Sequence, residues 1–215
     1  MQRLGVAAED IDSVLVTHEH SDHVGGVFAC ARRFGWDVLL THGTLAACGD
    51  ERADARTTIM DSHASFSVGD ICVHPFPVPH DAREPVQFVL SDGVGKLGVV
   101  TDAGHVTEHM VGMLDACDAL VLECNHDERM LAQGSYPQAL KRRIGGPWGH
   151  LDNAAAASLL SRIGRSSLRH VVAAHLSEEN NRPALAQAAL AAVLDCEQDW
   201  IGIATQDGGF AWRDL

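Results

Sequence analysis

Apolar residues recur along this chain in short runs rich in Val, Ile and Leu. Their composition and alternation predict strands at 13–17, 37–41, 71–78, 86–90, 96–101, 119–123, 168–174 and 200–205. Between them, apolar positions three and four apart predict helices at 22–34, 107–116, 136–144, 152–163 and 183–194. Asp152 is placed to cap the fourth helix, and Pro183 sits in the first turn of the last. Gly69-Asp70 and the stretch from Gly93 to Gly95 mark turns, the second inside a hairpin. The alanine-rich stretches 153–157 and 184–192 read as close-packing helices. No repeat, low-complexity tract or linker-like run interrupts the pattern, so the expectation is an α/β chain with one domain over residues 1–215.

Composition narrows the partners. The 215 residues carry 16 Lys and Arg against 29 Asp and Glu, a formal charge of −13, which argues against broad electrostatic adhesion to nucleic acid. A metal site or a local basic patch still leaves room for a phosphate substrate. No apolar run approaches the ~20 residues that a bilayer span needs, so no membrane role is expected. The six cysteines form no C-x-x-C pair and lie among apolar neighbours, which suits reduced thiols and a cytoplasmic location.

The chemistry concentrates in Thr17-His18-Glu19-His20-Ser21-Asp22-His23-Val24-Gly25-Gly26, directly after an apolar strand. In an extended segment His18 and His20 point to one side and can face one ion. Asp22 and His23 stand where a helix begins and can turn to a second. Further ligand types close later strands: His80 after the run ending at Pro79, Asp102 after Thr101 and His175 after Ala174. The economical assignment gives one metal His18, His20 and His80 and the other Asp22, His23 and His175, with Asp102 bridging. Imidazole and carboxylate suit Zn or Mn, and Fe also fits. Two such ions ~3.5–4 Å apart can share a hydroxide and hold a phosphoryl or carbonyl oxygen.

This H-x-H-x-D-H loop, followed by separate His, Asp and His motifs, resembles the metallo-β-lactamase superfamily from about Val14 to the C-terminus. The resemblance implies an αββα sandwich of two mixed sheets flanked by helices. Leu122-Glu123-Cys124-Asn125-His126-Asp127, Gly134-Ser135-Tyr136-Pro137, Gly149-His150-Leu151-Asp152-Asn153 and His175-Leu176-Ser177-Glu178-Glu179-Asn180-Asn181 look like the bacterial YycJ/WalJ/VicX group. That group is similar to PhnP-type phosphodiesterases and ribonuclease Z. Such a resemblance implies a metal-dependent phosphodiesterase acting on DNA as a 5′ exonuclease, with a metal-bridging hydroxide as nucleophile. Relatives open with a strand pair before the first helix. The chain here begins at Met1-Gln2-Arg3-Leu4-Gly5, so the resemblance implies missing N-terminal strands, an unpaired edge and pairing with a second copy as one remedy.

Within that frame Asp22 is expected to orient the hydroxide and His150 to protonate the departing oxygen or bind the phosphate, a task suited to imidazole. Lys141, Arg142 and Arg143 form the compact basic triplet of an acidic chain, readable as a phosphate-backbone contact or as the solvated face of a helix. His126 reads either as an orienting group near the substrate or as a buried loop histidine. The other histidines read as structural or solvent-exposed. Two rival functions share these residues: a thioester or lactone hydrolase similar to glyoxalase II, and a catalytically idle metal-binding scaffold.

Overall fold

The computed structural model describes residues 2–49 and 55–215, in two compact units. One comprises Met1–Pro77 with Asp81–Gln87, the other Val78–His80 with Phe88–Leu215. Met1 lies outside the described residues, and Gln2–Leu4 form a single 3-10 turn. No described helix is long and apolar enough to cross a membrane.

In the first unit, β1 (Ser13–Leu15), β2 (Asp37–Leu40) and β3 (Thr57–Ile59) form a parallel sheet in that order. A helical crossover joins β1 to β2. The 22–34 helix is in fact two, α1 (Ser21–Val24) and α2 (Val27–Phe34), because Gly26 takes a left-handed φ of 81°. A Cβ on Gly25 would collide with the Ser21 carbonyl, so this glycine serves the tight break between the helices rather than their packing on neighbours. Phe28 and Ala31 on α2 bury with Val16, Val24, Trp36, Val38 and Leu40, while Arg32 and Arg33 face water. Trp36 satisfies its indole by donating Nε1–H to the Ala8 carbonyl at 2.7 Å. Helix α3 (His42–Ala47) opens on Thr41, whose hydroxyl accepts from the Thr44 amide. The Gly69-Asp70 turn joins the antiparallel β4 (Phe66–Val68) and β5 (Ile71–Pro77).

The second unit is built on a sheet of order β10-β9-β8-β7-β6. It comprises β6 (Val86–Ser91), β7 (Lys96–Val100), β8 (Ala119–Glu123), β9 (His170–Ala174) and β10 (Gly202–Ile203). The Gly93 turn makes β6 and β7 an antiparallel hairpin, and β7 to β10 run parallel. Helices α4 (Glu108–Leu114), α5 (Glu128–Gln133), α6 (Gln138–Ile144), α7 (Asn153–Arg162) and α8 (Pro183–Leu194) connect the strands. Asp152 caps α7 through Oδ1, which accepts from the Ala155 amide at 2.8 Å. The alanine-rich α7 and α8 pack together, burying Ala156, Leu159, Leu160, Ala186 and Leu190.

A buried amide pair ties this unit together. Asn181 donates Nδ2–H to Asn153 Oδ1 at 2.9 Å and to the Cys124 carbonyl at 2.7 Å, and Asn153 Nδ2 donates back to Asn181 Oδ1 at 3.0 Å. Truncating one member strands the others away from water. Asn181→Ala is therefore expected to lower unfolding stability by about 2–3 kcal/mol in urea titration, against less than about 0.5 kcal/mol for the exposed Asp207→Ala. The six cysteines are all free thiols. Burial pushes the Cys117 thiol up to about 11 and that of Cys124 higher still, so both stay protonated and inert.

Candidate functional site

In the first unit the loop leaving β1 places its histidines around one hydroxyl. Thr17 Oγ1 lies 3.0 Å from both His18 Nδ1 and His23 Nδ1, so each ring presents Nε2 on its far side. His18 is fully buried, and its Nε2 stands 2.9 Å from His20 Nδ1. Two imidazole nitrogens facing each other so closely are near the ~3.3–3.4 Å edge of a tetrahedron whose bonds are ~2.0–2.1 Å. His20 itself is the N-cap residue of α1, and its Nε2 faces Asp81 Oδ1 at 3.6 Å. Asp22 and His23 follow in the first turn, the Asp22 carboxylate 3.5 Å from His23 Nε2.

In the second unit the parallel register does the gathering. Val100 pairs with Leu122 and Leu122 with Ala173, so β7, β8 and β9 end in step. Asp102, Glu123 and His175 then leave one edge of the sheet side by side. Asp102 and His175 both take left-handed backbone, with φ of 51° and 55°. Each such residue costs about 1–2 kcal/mol, strain of the kind that persists where surrounding structure imposes it at a working site.

Glu123 organises this edge. It is fully buried, and Oε1 accepts from His150 Nδ1 at 2.9 Å and from His175 Nδ1 at 2.8 Å. Oε2 accepts from the Ala103 and Leu151 amides, each at 3.0 Å. Burial alone would raise the carboxyl pKa, but the two imidazoles outweigh it and hold it below its ordinary 4.5. His80 Nδ1 donates to the Gly149 carbonyl at 2.9 Å. A carbonyl and an ionised carboxylate only accept, so His80, His150 and His175 all carry their proton on Nδ1 and present Nε2 as a lone pair. Asp102, 2% exposed, lies among them, with Oδ1 3.8 Å from His80 Nε2 and 3.5 and 3.6 Å from Nδ1 of His150 and His175. Ligand atoms of Asp102, Glu123, His150 and His175 all fall within 4.8 Å of one another. Imidazoles gathered at buried carboxylate oxygens are a donor set that fits a borderline divalent ion such as Zn or Mn.

Three positioning groups escape the ligand pattern in the sequence: Glu123, Asp81 and Thr17. Glu123 had a signal, since a carboxylate ending an otherwise apolar strand is costly unless it is paired. His126 is 2% exposed, with Nδ1 3.3 Å from Asn125 Oδ1, and burial lowers its pKa. It lines a cavity of about 310 Å³ with Lys141, Arg142 and Asp152, while Arg143 is an exposed neighbour on α6. Lys141 donates Nζ–H to the Ala132 carbonyl at 2.7 Å. Asn125 fixes the loop that carries His175, donating Nδ2–H to the His175 carbonyl at 3.1 Å and accepting at its own carbonyl from the Ser177 amide at 2.8 Å.

Comparison with known proteins identifies the family and the fold. Residues 2–176 match the family model described as the Beta-lactamase superfamily domain. The exodeoxyribonuclease YycJ of Bacillus anthracis is 36% identical over 192 residues, which cover 86% of this chain and 72% of that protein. Exodeoxyribonuclease WalJ of Streptococcus pneumoniae is 34% identical over 183 residues, 83% of this chain and 68% of that one. Among solved structures, the metallo-β-lactamase fold protein YhfI of Bacillus subtilis superposes with a TM-score of 0.72 at 16% identity, covering 96% of this chain and 79% of its own. The chain therefore has the metallo-β-lactamase fold and belongs to the β-lactamase superfamily, alongside the YycJ and WalJ proteins.

Proposed function

We propose that this protein is a metal-dependent phosphodiesterase that degrades DNA as a 5′ exonuclease. The observation that carries the reading is the gathering of His80, His150 and His175 at buried Asp102, with His150 and His175 held by Glu123, together with relatives named exodeoxyribonucleases over most of the chain. His18, His20 and His80 would hold one divalent ion and Asp22, His23 and His175 the other, with Asp102 shared. This assignment rests on the motif order and on the family. When bound, such ions polarise the phosphoryl oxygens and supply an ionised water.

The side chains do the rest. Asp22 orients the attacking water. His150, whose Nδ1–H is committed to Glu123, takes a solvent proton on its Nε2 lone pair and passes that proton to the departing alkoxide. Lys141, Arg142 and Arg143 give an acidic chain a local place for the phosphate backbone, with His126 beside them. The free thiols and the absence of a membrane-length helix among the described residues favour a cytoplasmic enzyme. The test sets bis-p-nitrophenyl phosphate and 5′-labelled DNA beside a thioester, with Zn or Mn supplied. Hydrolysis of the first two with release of the labelled end is expected; turnover of the thioester alone would move the protein to the glyoxalase II kind of chemistry.

A further inference from the structure

The loop between α6 and α7 displays an aromatic side chain whose exposure the metal chemistry leaves unexplained. Trp148, two residues before His150, is 58% exposed. The backbone on either side of it is pinned. The Gly149 carbonyl accepts from His80 Nδ1 at 2.9 Å, and the Pro147 carbonyl accepts from His105 Nδ1 at 2.8 Å. The Gly149 amide donates to the Gly146 carbonyl at 3.0 Å, and the His150 amide to the Ile144 carbonyl at 2.9 Å.

Two glycines make this packing possible. A Cβ on Gly104, two residues after Asp102, would strike the Pro147 carbonyl and the Trp148 amide. One on Gly149 would strike the carbonyls of Arg143 and Ile144. The His105 ring stands edge-on to the indole, centroids 6.4 Å apart and planes at 80°. A large apolar surface is thus held at a fixed place beside His150 while remaining open to solvent. The other exposed aromatics that stand out among the described residues, Trp200, Phe210 and Trp212, all follow α8, far along the chain from His150.

We infer that Trp148 is a stacking platform for a nucleobase of the DNA strand entering the site, an inference that rests on the nuclease reading above. An indole face matches the flat π-surface that every base shares, so it grips a strand without reading its sequence. The chain order supports that occupant. Lys141, Arg142 and Arg143 on the last turns of α6 lead directly into this loop, so cations for phosphates and an aromatic for a base lie within eight residues of each other, ending at Trp148. Basic groups interleaved with an exposed aromatic are the pattern of single-strand binding surfaces.

The test compares two single-stranded substrates, one with ordinary nucleotides at the 5′ end and one whose first several nucleotides lack bases. Wild type is expected to show a KM about tenfold lower for the base-bearing end, the size of one stacking contact. Trp148→Ala should lose that preference, raising KM for ordinary DNA to the base-free value while kcat changes little. Trp148→Phe should keep most of it. Trp212→Ala should behave as wild type. A Trp148→Ala enzyme that digests DNA and still prefers base-bearing ends tenfold overturns the platform and leaves the nuclease reading standing. A wild-type protein that hydrolyses the nitrophenyl diester but neither DNA overturns both.

Discussion

Asp102→Asn is expected to lower kcat/KM for bis-p-nitrophenyl phosphate by about 10³-fold or more, because under the proposed assignment this carboxylate would be shared by two ions and contribute several kcal/mol to the transition state. The choice of asparagine matters. Asp102 sits at φ 51°, where asparagine is tolerated and alanine would add a backbone cost of about 1 kcal/mol. The substitution thus removes charge while keeping shape and conformation. Elemental analysis of the purified variant should show less bound divalent metal, and circular dichroism should show the same secondary structure. Full turnover by this variant would dismantle the proposed ligand assignment.

The second large effect is predicted at Glu123. Glu123→Ala removes the acceptor of four hydrogen bonds in a fully buried position, leaving two backbone amides and two imidazole N–H groups without it. Losing one side of such a buried charged cluster typically costs about 3–5 kcal/mol, measurable as a fall in melting temperature. Both His150 and His175 also lose the partner that fixes their Nδ1 proton, so metal affinity should drop about 10–100-fold. Glu123→Gln, isosteric but able to accept at only one atom, should fall between. Glu123 also makes stability depend on acid. Its folded pKa is depressed by the two histidines, so the carboxylate binds fewer protons in the folded state than in the unfolded one. Its contribution is complete above pH 4.5, the ordinary carboxyl value, and is lost as pH falls through the lower folded value. Thermal melts between neutrality and pH 3 should lose this slope in Glu123→Gln.

The sites of these predictions were unequally visible in the amino-acid order. His18, His20, Asp22 and His23 stand within six positions, and His80, Asp102 and His175 each follow an apolar run, so candidate ligands could be picked out directly. The strands at 86–91, 96–100, 119–123 and 170–174 were legible for the same reason: they are buried and continuous in apolar residues. What escaped was short or exposed. β3 is a three-residue strand with every residue exposed, and α3, HGTLAA, has too few turns to show a period. The 22–34 helix looked unbroken because a left-handed glycine leaves no mark in hydrophobic spacing. Glu123 was overlooked as a site group because its partners lie 27 and 52 residues further along the chain, a distance that only the folded sheet closes.

The level ends of β7, β8 and β9 carry a consequence for how such a chain tolerates change. Side chains on a strand alternate between its two faces, so inserting or deleting a single residue inside one of these strands turns its terminal group to the opposite side. Substitutions along the strands can be absorbed by repacking, and the connecting helices can lengthen, but an odd-numbered slip of one strand against its neighbours removes a proposed ligand or its anchor at a stroke. Length variation among functional descendants of this chain should accordingly gather in the helical connections and spare the strand interiors.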